Sequence, residues 1–76
     1  MANKTFKVGT ILSFKKFAED TYDNIGLIVS EREISKFDNH YEYLIHTIYD
    51  QEFWMRGWHL KHEIDLEEWK IEYEPE

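Results

Sequence analysis

The sequence predicts an all-β domain in which five short strands close into a small barrel, with one short helical turn before the last strand. Three observations predict it. Apolar and polar residues alternate with period two in most of the chain, the pattern of a sheet with one wet face. Turn-forming residues punctuate that alternation at strand-length intervals. The 76 residues include thirteen aromatic rings (five Phe, five Tyr, three Trp) and no cysteine, so a compact core has to be built from large rings, without disulfides or thiolate metal sites.

The strands are taken in order. The first spans 7–17, where Val8, Thr10, Leu12 and Phe14 alternate and Gly9 marks a turn or bulge near the start. The polar stretch 18–24 ends in Asp23-Asn24 and reads as a loop. The second strand, 25–31, is rich in aliphatic residues (Ile25, Leu27, Ile28, Val29). A hairpin connection, 35–40, turns at Asp38-Asn39. The third strand, 41–48, sets Tyr41, Tyr43, Ile45 and Thr47 against Glu42, Leu44, His46 and Ile48. After a tight turn at Tyr49-Asp50-Gln51, the fourth strand, 52–58, puts Trp54, Arg56 and Trp58 on one side and Phe53 and Met55 on the other. Residues 60–68 space Leu60, Ile64 and Leu66 as a short helical turn does. In the fifth strand, Trp69, Ile71 and Tyr73 alternate with Lys70, Glu72 and Glu74. An α+β domain with a full helix over 59–70 is the alternative.

One domain is all this length supports. Its expected extent is 6–74, with flexible ends at 1–5 and 75–76. Closing the sheet removes the free edges that an open one exposes.

These stretches resemble a known family. Lys7-Val8-Gly9-Thr10-Ile11-Leu12-Ser13-Phe14 resembles the K-V-G-D-x-V-x-F opening of many small SH3-like barrels. Asn24-Ile25-Gly26-Leu27-Ile28-Val29 resembles their x-x-G-I-V second strand, and Tyr43-Leu44-Ile45 with Trp54-Met55 resembles their central hairpin. Residues 60–66 fall where those barrels carry a helical turn. Free-standing acidic, cysteine-free domains of this pattern look like accessory proteins of tailed bacteriophages, including cyanophages. The resemblance implies a five-stranded SH3-like barrel and a protein-binding, non-catalytic role. The chain departs from the pattern at Glu67-Glu68-Trp69-Lys70, which adds length before the final strand.

Charge is one-sided. Residues 1–38 carry six basic and six acidic groups, whereas 39–76 hold ten acids against Arg56, Lys61 and Lys70, so the whole net charge of −7 lies there. Seven of those acids fall in 63–76. A polyanionic duplex is repelled by such a surface, which disfavours direct nucleic-acid binding. A basic protein partner, or a channel that normally holds nucleic acid, is not repelled.

Catalysis is not expected. The three glycines form no phosphate-cradling loop, no cysteine nucleophile exists, and the tail carboxylates lack the burial that raises a general acid's pKa. No cofactor is expected. His59, His62 and Glu63 have metal-ligand spacing, but read better as a solvated helical turn, so no metal is expected either.

The surplus rings carry the binding expectation. Tyr41, Tyr43, Trp54, Trp58 and Trp69 exceed what so small a core holds, and Tyr and Trp favour interfaces. In SH3-type folds, aromatics beside the first loop and on the third and fourth strands form a peptide groove. Tyr22, Tyr49, Trp54 and Trp58 are the candidates here, with Glu67 and Glu68 as an acidic rim. An aromatic cage for methylated lysine is a narrower form of the same idea. The bland alternatives are rings that cap the core and a charged tail that keeps the domain soluble. Self-association through the surplus rings is a further expectation. No apolar run exceeds three residues (27–29 is one) and the first residues lack a leader's apolar stretch. With no cysteine, the expected location is the cytoplasm, in a host cell or a virion, with no membrane.

Overall fold

The structure is a computed structural model and describes residues 6–15, 21–22, 24–35 and 40–76. Five strands, β1 (Ile11–Phe14), β2 (Asn24–Ser35), β3 (His40–Thr47), β4 (Glu52–Arg56) and β5 (Trp69–Tyr73), form one antiparallel sheet in the order β4-β3-β2-β1-β5. One helix, α1 (Gly57–Asp65), separates β4 from β5. Strand order, antiparallel pairing and the helix before the last strand make this an SH3-like barrel.

β2 builds the barrel by serving both halves of it. Its first residues pair with β1 and nearly its full length pairs with β3, with register shifts at 28/30 and 33/35. Such bulges sharpen the local twist and let one strand pass from one half-sheet to the other. Where the halves meet, Gly26 leaves no space for a side chain: a Cβ there would lie 2.7 Å from Ile45 Cγ2.

The core consists of Phe6, Leu12, Ile28, Tyr43, Ile45 and Leu60, flanked by Tyr41, Phe53, Met55, Ile64, Trp69 and Ile71. Of these, Tyr41, Tyr43, Ile45, Phe53, Met55, Trp69 and Ile71 each belong to one row of the alternation in β3, β4 and β5. Phe6 meets the Tyr43 ring edge-on, with centroids 5.4 Å apart, and its N–H donates to the Tyr43 hydroxyl at 3.2 Å. That contact fastens the start of the described chain to the centre of the sheet.

Four boundaries differ from expectation, the first being that β2 runs on from its expected end at 31 to Ser35. β1 is shorter, because Thr10 N–H donates to the Lys7 carbonyl and Gly9 takes a φ of 100°, a turn that leaves Val8 exposed. The expected residues 16–17 of that strand, most of the first loop and the Asp38-Asn39 turn lie outside the described residues. β4 ends at Arg56, so Trp58 does not extend its outer face but sits on α1. The cause is Gly57, packed so closely on Tyr43 that a Cβ would lie 3.1 Å from Cε2; the chain turns there into helix. α1 therefore starts three residues earlier than the predicted turn and runs for nine. It stays shorter than a helix over 59–70 because its last residues close into a cap.

That cap is a Schellman motif: Glu68 N–H donates to the Glu63 carbonyl and Glu67 N–H to the Ile64 carbonyl, each at 3.0 Å. Its left-handed residue is Glu67, with a φ of 62°, where glycine is the unstrained choice. Pro75, at the other end of β5, lies against the Gly9 turn, and Lys7 Nζ donates to its carbonyl at 3.3 Å.

Gly26→Ala should lower stability by about 1–3 kcal/mol, the cost of overpacking against a buried Ile45, read from the urea midpoint at unchanged m-value. An unaltered midpoint would show that Ile45 has room to move.

Candidate functional site

The structure disperses the four rings expected to share a groove. Tyr22, on the first loop, turns toward the end of α1: its hydroxyl donates to the Glu67 carbonyl at 2.6 Å, and the amines of Lys15 and Lys70 lie 5.2 and 5.5 Å from the ring centroid. Glu68 joins the same corner through its carbonyl, which accepts the Lys15 N–H at 3.0 Å. Tyr22, Ile64, Glu67, Trp69, Lys70 and Ile71 line a cleft of about 440 Å³ there. Tyr22, Glu67 and Glu68 are thus brought together.

Tyr49, Trp54 and Trp58 are elsewhere. Tyr49 projects from the β3–β4 turn, where Thr47 and Asp50 share a backbone hydrogen bond and Asp50 takes a φ of 60°. Trp54 lies on the outer face of β4 with the Arg32 guanidinium 4.0 Å above its ring. Arg32 in turn pairs with Glu42 at 2.7 Å, and Arg56 approaches the same carboxylate at 4.0 Å. Trp58 stands exposed on α1 beside His59. A strand places residues 54, 56 and 58 on one face; the change to helical period at Gly57 breaks that row.

Two further surfaces stand out, and of their residues only Tyr49, which lines the first, was a candidate from the sequence. The first is a cleft of about 440 Å³ at one end of the barrel, lined by Phe14, Asn24, Thr47, Tyr49, Gln51 and Phe53. Phe14 stacks on Trp69 with centroids 4.2 Å apart, and Trp69 meets Phe53 edge-on at 6.3 Å. Phe14 and Phe53 read as ordinary inward residues; the available signal was that each neighbours a strand end or turn, where an inward ring borders solvent. The second is the outer face of β2. Ile25, Leu27 and Val29 point away from the core and are 43, 39 and 36% exposed, with Ile48 and Tyr73 exposed nearby. A signal was present: an unbroken apolar run at 27–29 is the pattern of a strand covered on both faces.

Charged groups form local pairs. Ser13 Oγ donates to Glu72 Oε2 at 2.6 Å, and Lys70 Nζ lies 3.6 Å from the same oxygen. The Ser13 hydrogen bond, helped by the Lys70 charge, holds the Glu72 carboxyl below its ordinary pKa. His46 has Asp50 and Glu52 on opposite ring nitrogens, at 3.5 and 3.3 Å. His59 Nε2 lies 3.4 Å from Glu63 Oε1. Among the described residues no three His, Asp or Glu side chains converge on a point that would hold a metal ion, and no helix is long and apolar enough to cross a membrane.

The fold and these surfaces define a small β-barrel with apolar and aromatic side chains left on its outside. No protein-family model matches the chain, and neither a curated protein nor a solved structure matches it at a significant level.

Two outcomes are expected. Because Glu72 titrates below its ordinary range when folded, its contribution to stability is complete above that range and is lost as pH falls through the folded pKa. Ser13→Ala should raise the Glu72 midpoint, followed by carboxyl carbon shifts in an NMR titration; an unchanged midpoint would remove Ser13 as the main cause. Glu67→Gly should stabilise the domain by about 1 kcal/mol, since it relieves a left-handed L-residue and removes an anion from a helix C-terminus. A lower denaturant midpoint would mean that the Glu67 side chain supports the cap.

Proposed function

We propose that this chain is a non-catalytic protein–protein interaction module of the accessory kind encoded by tailed bacteriophages, acting in the host cytoplasm or in the virion. The observation that carries the reading is the uncovered outer face of β2. Ile25, Leu27 and Val29 lie side by side on a sheet whose inner face already holds the core. A barrel of this size has little apolar surface to leave in water, and contiguous apolar surface on a small domain marks a contact. The sequence resemblance supports the phage origin. The acidic half favours a partner with a basic rim, and a second copy of the chain is a further candidate.

A second reading is an acidic mimic that occupies the nucleic-acid channel of a host enzyme. It is favoured by the exposed carboxylates of Glu67, Glu68 and Glu74 around β5.

A photo-reactive phenylalanine analogue placed at Leu27, with Lys61 on the exposed side of α1 as control, tests the first reading. In cells where the protein acts, a discrete adduct is expected from position 27 and none from 61. Equal labelling from both positions, or none from either, would sink it. Affinity for the captured partner that collapses between about 50 and 500 mM salt, where the screening length falls several-fold, would transfer the assignment to the mimic.

A further inference from the structure

The uncovered face of β2 extends beyond the strand's own side chains. Leu27 lies opposite Ile11, and Ile11 opposite Tyr73, so an apolar row crosses β2, β1 and β5. On the other flank the Ile48 N–H donates to the Ile25 carbonyl at 3.0 Å, which brings Ile48 to the same face. Val29 completes it. Ile11 is half-buried and the other five residues are 36–59% exposed. The exposed parts of these six residues amount to about 500 Å², or about a tenth of the 5497 Å² surface of the chain, and two such faces in contact cover about 1,000 Å², the extent at which a specific interface begins.

The distribution of charge indicates what covers this face. None of the six residues is charged, and the carboxylates beside them have local partners: Glu72 in Ser13 and Lys70, Asp50 in His46. Four of the six come from residues 1–38, where six basic and six acidic groups cancel. The acidic excess stands on another side of the barrel. Glu63, Asp65, Glu67 and Glu68 lie on α1 or its cap, and α1 packs against β3, β4 and β5 rather than β1 or β2. A basic partner finds its complement on that side and no charge to recognise at β2. A second copy, by contrast, brings an uncharged aliphatic face of the same size, and two chains of net charge −7 meet there with their acidic sides turned away from each other.

The face also has relief. Ile25, Gly26, Leu27 and Ile48 help to line a groove of about 230 Å³. A twofold axis crossing β2 at Leu27 sets the two Leu27 side chains together. It carries Val29 of each copy, two residues along the same face, over the Ile25 end of the other, where the groove lies.

We infer that the outer face of β2 is covered by the same face of a second copy, in a twofold pair centred on Leu27, with Val29 of each copy seated in the groove between Ile25 and Ile48 of the other. A closed pair of this kind uses one self-complementary patch. The inference rests on the interaction-module reading and names the occupant of its contact surface. Aliphatic side chains make the contact, and the exposed rings Tyr49, Trp54 and Trp58 take no part.

Sedimentation of the full chain from about 10 µM to 1 mM should show a concentration-dependent dimer. Leu27→Lys and Ile48→Lys should each weaken it at least about tenfold while the amide spectrum stays that of a folded domain; Trp58→Ala, on α1, should leave it unchanged. Raising salt from about 50 to 500 mM should keep the pair equally strong or tighten it, because repulsion between like-charged copies is screened. In a mixture of labelled and unlabelled unaltered chains, methyl contacts between copies should link Val29 to Ile25 and Ile48. The inference is overturned if the chain stays monomeric at the top of that range, if folded lysine variants dimerise as before, if salt dissociates the pair, or if contacts between copies fall on Tyr49, Trp54 or Trp58. A monomer that still gives a discrete adduct with another protein from position 27 removes the second copy alone; a monomer that gives no adduct removes the module reading with it.

Discussion

Between β4 and β5 the backbone ladder is interrupted, and side chains close the gap. Phe14 stacks on Trp69, Trp69 meets Phe53 across the opening, and α1 packs against β3, β4 and β5 with Leu60 fully buried. Each aromatic contact is worth about 0.5–1.5 kcal/mol beyond its burial, and burial of Leu60 about 1.5–3 kcal/mol. In a barrel without disulfides these are large fractions of the total stability, which for most domains is only about 5–15 kcal/mol. β4 and β5 thus remain the edges of the sheet, contrary to the expectation that closure removes them, and the gap between them is spanned by rings and a helix rather than by hydrogen bonds.

This manner of closure also shapes the surface. A gap bridged by rings is filled only where the rings reach, and the same Phe14 and Phe53 that close it line a cleft at the barrel end. On the opposite side of the sheet, β2 presents aliphatic residues outward because it has apolar side chains on both faces and the domain has one core. The helix cap adds a third consequence. Glu67 occupies a left-handed position that suits glycine, and its carbonyl is held by the Tyr22 hydroxyl, so Tyr22 and the end of α1 form one corner. A strained residue that is kept in place by such a contact is a pointer to use.

Much of the fold was legible in advance. Alternation in 69–73 set Trp69 and Ile71 on the row that packs on the core, although Tyr73 of the same row is exposed; in 41–48 and 52–58 it separated two faces without choosing between them, and the structure turns Tyr43, Ile45, Phe53 and Met55 inward. The site was less legible. Tyr22, Glu67 and Glu68 do meet, but nothing in their spacing indicates it: the contact depends on a helix cap that carries Glu where glycine would announce the turn. Trp58 was assigned to the strand because Gly57 carries no local mark of whether it bends, breaks or ends β4. Asn24 read as a loop residue, since Asp-Asn is a turn signal, and only pairing with Phe14 draws it into the sheet.

By itself, the sequence determined the class of fold, the division of most strands into two faces and the asymmetry of charge. Each is set by local periodicity or simple composition, which survive whatever the strands later pair with. Tertiary structure alone decided where α1 begins, which rings share a cleft and which aliphatic face is left uncovered. Those outcomes depend on close approaches between residues far apart in the chain, such as Gly57 on Tyr43 and Gly26 on Ile45, and no local pattern records such distances.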